Sequence, residues 1–169
     1  MTLIATPEAP TANSYCTVAD ASLVLNDRLD TLAWQEAPLL QREQALIWAT
    51  RLLDEQAAWQ TTPTTVTQAL WWPCVDALDR AGNDLDEHTI PVFLVQATAE
   101  YALALLVWQQ TMPPKVPQIP TRMKFGSHEF EFDGAPLQAP MERLPVAIRR
   151  LIAPYARPIG GGMSRILRV

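Results

Sequence analysis

The stretch that most limits what this chain can become is residues 90–110, IPVFLVQATAEYALALLVWQQ. It reads as one long helix. Thr89 is a candidate N-cap, and Pro91 falls in the first turn, where a missing N–H costs little. Pro113 and Pro114 then stop it. Val92, Val95, Ala99, Leu103 and Leu106 share one face; Phe93, Ala97, Tyr101, Ala104 and Trp108 share another. Only Gln96 and Glu100 make a polar stripe. A helix apolar on nearly every side is a buried one. About 20 residues would also span a membrane, but Gln96, Thr98, Glu100 and the terminal glutamines argue against it, so no membrane partner is expected. The rest of the chain, and in part a neighbouring chain, is expected to cover this helix.

A chain of 169 residues can bury one real core. Charged residues make up 18%, against about 25% in an ordinary soluble domain, and 49% are hydrophobic. That balance implies surface buried against partners. No basic–apolar–small leader opens the chain, so no secretion signal is expected. Cys16 and Cys74 follow no pattern and read as free buried thiols. The net charge of −5 hides an asymmetry. Residues 1–140 hold 7 Lys/Arg against 17 Asp/Glu, whereas residues 141–169 hold six Arg against Glu142 alone. An acidic body with a basic end is a signal about partners.

Residues 1–14 are Thr-, Pro- and Ala-rich without period, and read as an arm that is disordered alone or laid on a neighbour. Thr17 with Asp20 resembles a capping box at the start of the first helix. Leu32 to Trp34 lead into a second helix beginning near Pro38. Ala45, Leu46, Ala49, Leu52 and Leu53 form its buried face, with Trp48 and Trp59 flanking it. Residues 60–88 are long and irregular, as functional or partner-ordered loops are. Leu70, Trp71, Trp72 and Pro73 are too apolar to float in water and should lock that loop onto the helices. The acids around Ala81-Gly82 break the alternate spacing of a calcium loop and read as a turn.

TRMKF, Gly126-Ser127 and HEFEF form a two-residue hairpin signal with Gly first. That register sets Met123 opposite Phe130, Phe125 opposite His128, Arg122 opposite Glu131, and Lys124 opposite Glu129. Cross-strand pairs of these kinds contribute up to about 1 kcal/mol each. Pro145 opens a short last helix with Val146, Ile148, Leu151 and Ile152 inward and Arg149 and Arg150 outward. Gly160-Gly161-Gly162 precedes MSRILRV, an apolar and basic peptide suited to docking elsewhere. The expected fold is mainly α: a small helical bundle with one inserted β-hairpin and extended N- and C-terminal arms. Its parts are an arm over 1–14, a helical domain over 15–155 with a hairpin at 121–132, and an arm over 156–169.

Catalytic signals are sparse. His88 and His128 lie far apart in sequence, with no Cys or His at metal-ligand spacing. No serine sits in a nucleophile-elbow setting, and the Gly run follows no strand, so it is not a phosphate loop. No enzyme activity, metal or cofactor is expected. Single-strand binders join a basic groove to stacking aromatics. The aromatics are present in Trp71, Trp72, Phe125, Phe130 and Phe132, but residues 1–140 are acidic. Phosphate neutralisation would rest on the C-terminal arginines.

The ordered set of signals carries a resemblance. It comprises Ala12-Asn13-Ser14-Tyr15-Cys16-Thr17-Val18-Ala19-Asp20-Ala21, then residues 43–54 (EQALIWATRLLD), then Gln68-Ala69-Leu70-Trp71-Trp72-Pro73. Ile90-Pro91 follows ahead of an Ala-rich helix with Glu100, then the hairpin turning at Gly126 and the Gly-Arg tail. This order resembles head–tail connector (adaptor) proteins of tailed bacteriophages, a family often labelled DnaT-like single-stranded-DNA-binding proteins. The second tryptophan of Trp71-Trp72-Pro73 and Cys74 are less usual for that pattern. The resemblance implies a virion structural protein, assembled in the host cytoplasm, that forms a dodecameric ring under the portal. The portal protein, the tail or next connector, and DNA passing through the channel would be its partners. Tyr155, Arg157, Ile159, Met163, Arg165, Ile166, Leu167, Arg168 and Val169 would be the portal-binding arm. Arg122, Lys124, Phe125, His128, Glu129 and Glu131 would meet a neighbouring subunit or the tail, and Trp71, Trp72 and Pro73 would anchor the loop. The alternative is a single-stranded-DNA-binding replication accessory protein.

Overall fold

A capping box starts the first helix. Thr17 N–H donates to Asp20 Oδ2 at 3.0 Å and Asp20 N–H donates to Thr17 Oγ1 at 3.2 Å, so two otherwise orphaned donors are satisfied reciprocally. Helix α1 is Val18–Asn26. The computed structural model describes residues 2–111, 122–125, 128–131 and 144–158. Within them, Leu32–Glu36 forms its own short helix α2, ahead of α3 at Leu39–Gln56. Ser22 joins α1 to α2 by accepting Trp34 Nε1–H at 3.1 Å. Arg42 donates to the carbonyls of Ala37 at 2.9 Å and Gln35 at 2.8 Å, closing the end of α2.

The long apolar helix is α4, Val92–Thr111. By length and composition it could cross a membrane. Here it is the core helix, packed on α1, α2, α3 and α5, the last being Val146–Ile152. Leu94, Ala97, Thr98, Ala99, Tyr101, Ala102, Leu103, Leu105 and Leu106 are buried. Each leucine sealed in this way contributes about 1.5–3 kcal/mol relative to exposure. Thr98 bonds the Leu94 carbonyl, and Glu100 pairs with Arg28 after α1. Two details depart from the sequence reading. Pro91 directly precedes the helix, its carbonyl accepting Leu94 N–H at 2.9 Å and Val95 N–H at 3.2 Å. Val92 is exposed, whereas Leu94 in the same turn is fully buried.

Among the described residues, three short two-stranded ribbons accompany the helices. Strand β1 (Ala57–Trp59) pairs antiparallel with β6 (Ala156–Pro158), and β2 (Thr62–Pro63) pairs with β3 (Cys74–Val75). Strands β4 (Arg122–Phe125) and β5 (His128–Glu131) form the hairpin in the expected register, Arg122 opposite Glu131 through Phe125 opposite His128. Its turn, Gly126-Ser127, lies outside the described residues, as do the proline-rich connectors and the Gly160–Gly162 run.

Both predicted arms begin inside the body. Residues 2–14 fold back on their own chain. Asn13 Oδ1 accepts Ile4 N–H at 2.8 Å, Ile4 O accepts Asn13 N–H at 2.9 Å, and Ala69 N–H donates to Ala9 O at 3.2 Å. Glu8, in the left-handed region at φ 60°, reaches His88 Nδ1 at 2.8 Å. The segment is ordered because one asparagine side chain closes its loop and one ion pair pins it. At the other end, Tyr155 is buried and Ala156–Pro158 is a strand of the body. Val146 is exposed rather than inward, while Ile148 takes the core position.

The long loop is held by aromatic packing. Trp72 sits edge-on to Trp59 (centroids 5.8 Å apart), Phe93 (5.5 Å) and Tyr155 (6.1 Å), and Phe93 stacks on Tyr155 at 3.9 Å. Such pairs add about 0.5–1.5 kcal/mol each beyond burial. Beside them Asp54 accepts from Tyr15 Oη at 2.5 Å, Trp59 Nε1 at 3.0 Å and Trp71 N at 3.4 Å. Burial raises the Asp54 carboxyl above the usual range against these bonds. Burial, then Asp54, raises Tyr15 as well. Cys16 and Cys74 are free and buried, and burial pushes their thiols up to about 12 and about 11.

Candidate nucleic-acid interface

Helix α3 turns two faces to its surroundings. Ala45, Leu46, Ala49, Thr50 and Leu53 go into the core. Gln41, Gln44 and Trp48 follow one another at helical spacing along the adjacent edge, and all three are exposed. Opposite them, the last turns of α4 present Leu105, Leu106, Trp108 and Gln109. Together with Ala45 these residues line an open groove of about 230 Å³. Its floor is aliphatic, its walls carry two indoles, and its rim carries amides.

Trp48 is 48% exposed, far more than a tryptophan kept only for packing. The Arg51 guanidinium lies 5.2 Å from the centre of its ring, a cation–π distance. Arg51 is itself held by Glu55 at 2.6 Å, so the rim is close to neutral. An indole face with amides alongside offers stacking and hydrogen bonds to a planar, polar ring system. A phosphate backbone would find little attraction in the groove itself.

The residues singled out from sequence are scattered. Trp72 and Pro73 are buried in the long loop. Trp71 is 40% exposed and fixed by its Nε1–H to Thr61 O at 3.1 Å. Tyr155 belongs to the aromatic cluster, and Arg157 stands opposite Ala58 in the β1–β6 ribbon. Arg122, Lys124, Phe125, His128, Glu129 and Glu131 share the hairpin strands. Ile159, Met163, Arg165, Ile166, Leu167, Arg168 and Val169 lie outside the described residues. Among the described ones, Trp72 and Tyr155 meet in the aromatic cluster, and the set forms no shared binding cleft. The groove was missed in sequence, although Gln41, Gln44 and Trp48 at spacings of three and four form a polar–aromatic stripe beside an apolar one. Among the described residues, no cluster of three or more His, Cys, Asp or Glu could hold a metal.

A family model described as "Putative DnaT-like ssDNA binding protein" matches residues 1–169. No significant match was found among curated proteins or among solved structures. This corrects the expectation of a bacteriophage virion structural protein. The family's description points to single-stranded DNA, and nothing in the comparisons supports a head–tail connector or adaptor, a dodecameric ring, portal binding or a DNA channel. The structure removes part of the physical motive as well. The N-terminal segment, expected to be disordered alone or laid on a neighbour, and Tyr155 and Arg157, expected in a portal-binding arm, find partners within their own chain. Matched along its whole length, the chain belongs to the DnaT-like single-stranded-DNA-binding family.

Proposed function

We propose that this protein is a non-catalytic single-stranded-DNA-binding accessory protein, and that unpaired bases stack in the groove between α3 and α4. The observation that carries the reading is Trp48, left half open beside Trp108 with Gln41, Gln44 and Gln109 around them. Base–aromatic stacking contributes about 1–3 kcal/mol per base and tolerates any sequence. The family match supports the choice of ligand. Charge sets the limits. The acidic body repels phosphate, so cations must come from the Arg-rich end, where Arg157, Arg165 and Arg168 are candidates. Neutralising about three phosphates gives a log–log salt slope of about −2. Affinity is therefore modest at physiological salt and rises steeply as salt falls.

The test is a tryptophan-fluorescence titration with oligothymidylate at two salt concentrations. Quenching that strengthens at low salt, and that weakens about tenfold or more in Trp48→Ala, supports the reading. No binding at low salt removes it.

A further inference from the structure

A second cleft lies where α5 meets β6. Val146, Ile152, Ala153 and Ala156 line it with carbon, and Arg149 and Arg150 stand with them. Its volume is about 190 Å³, room for one large aliphatic or phenyl side chain. Both arginines are exposed. Arg149 spends one N–H on the Leu144 carbonyl at 3.2 Å. Among the described residues, neither forms an ion pair with an acid, and the Arg150 side chain makes no hydrogen bond. Two uncompensated cations beside an apolar hole are unusual in a chain of net charge −5.

We infer that this cleft is a docking site for an acidic peptide segment of a partner protein, with one apolar side chain seated in the hole and flanking carboxylates on Arg149 and Arg150. Charge complementarity selects the occupant. Carboxylates match guanidinium groups in paired geometry, and an anchor residue in a desolvated pocket is how short peptides gain affinity. The chain's own end is a poor fit, because residues 159–169 carry Arg165 and Arg168 and no acidic side chain. A DNA strand could use the arginines but would leave the apolar wall unfilled. The inference does not rest on the DNA-binding reading.

Fluorescence anisotropy on the full chain tests it, using short labelled peptides in which Asp and Glu flank a single Leu, Ile or Phe. The expected result is binding that weakens about tenfold when the anchor becomes Ala, and about tenfold or more in Arg150→Glu. Ala153→Glu, an exposed position just past α5, puts a like charge in the cleft and should abolish binding while circular dichroism stays unchanged. The inference is overturned if none of the peptides binds. It is also overturned if binding ignores both the anchor and Arg150→Glu, or if oligothymidylate displaces the peptide as well as unlabelled peptide does.

Discussion

Two tryptophan sites sit against the same helical core. Trp72 is 2% exposed and ringed by Trp59, Phe93 and Tyr155. Trp48 is 48% exposed, with one cation over its face and a groove beside it. The first ring has used all its faces on the protein, while the second has kept one. Among the described residues the Trp72 indole N–H finds no partner, a cost of about 1–3 kcal/mol that its packing must exceed. The same residue type is therefore a staple for the long loop in one place and an open platform in the other. What separates the two is the chain placed over them.

The comparison breaks most visibly at the staple. Trp72→Ala should cost about 3–5 kcal/mol of stability, as large aromatic truncations in cores do, read by urea unfolding. A loss under about 1 kcal/mol would mean the loop is held elsewhere. Next is Asp54, which joins the loop to α3. Asp54→Ala strands the hydroxyl of Tyr15 and the indole N–H of Trp59, and should cost about 2–4 kcal/mol. Asp54→Asn keeps an acceptor and tests the sign of the pH effect. A carboxyl raised in the folded state lets that state bind protons more readily than the unfolded chain. Its share of stability is thus full below the unfolded value of 3.8 and is lost as pH rises through the folded one. Asp54→Asn should flatten that fall, and an unchanged pH profile would contradict it.

At the platform the expectation reverses. Trp48→Ala should change stability by about 1 kcal/mol or less, because half the ring is already in water, yet reduce oligonucleotide affinity by about 1–3 kcal/mol. The smallest effect is at the N-terminal segment. Glu8, chiefly through its bond to the ring, raises His88 above its ordinary value. Below that raised value the ion pair is present, and it is lost as pH rises through it. Glu8→Gln should lower the His88 titration midpoint measured by NMR while leaving unfolding nearly unchanged.

Local signals in the sequence carried much of this fold. The capping box at Thr17 and Asp20, the long apolar helix and the hairpin register all depend on residues close in sequence, and all three form, the helix starting at Val92 rather than Ile90. What could not be read is what distant residues decide. Asn13 returning to Ile4, Glu8 reaching His88, and Ala156–Pro158 pairing with β1 each join segments that no periodicity links. The groove falls between the two cases. Its α3 half, the stripe of Gln41, Gln44 and Trp48, was open to reading but not read, and Trp108 joins Trp48 in one groove only because α4 packs on α3.

The central claim is that the open ring at Trp48 receives an unpaired base. The most direct measurement is a paired titration of wild-type protein and Trp48→Ala with oligothymidylate at low salt, with unfolding curves recorded on both. The account predicts stabilities within about 1 kcal/mol of each other, quenching in the wild type, and an affinity loss of about tenfold or more in the variant. Equal affinity in the two proteins, with both folded, would contradict it.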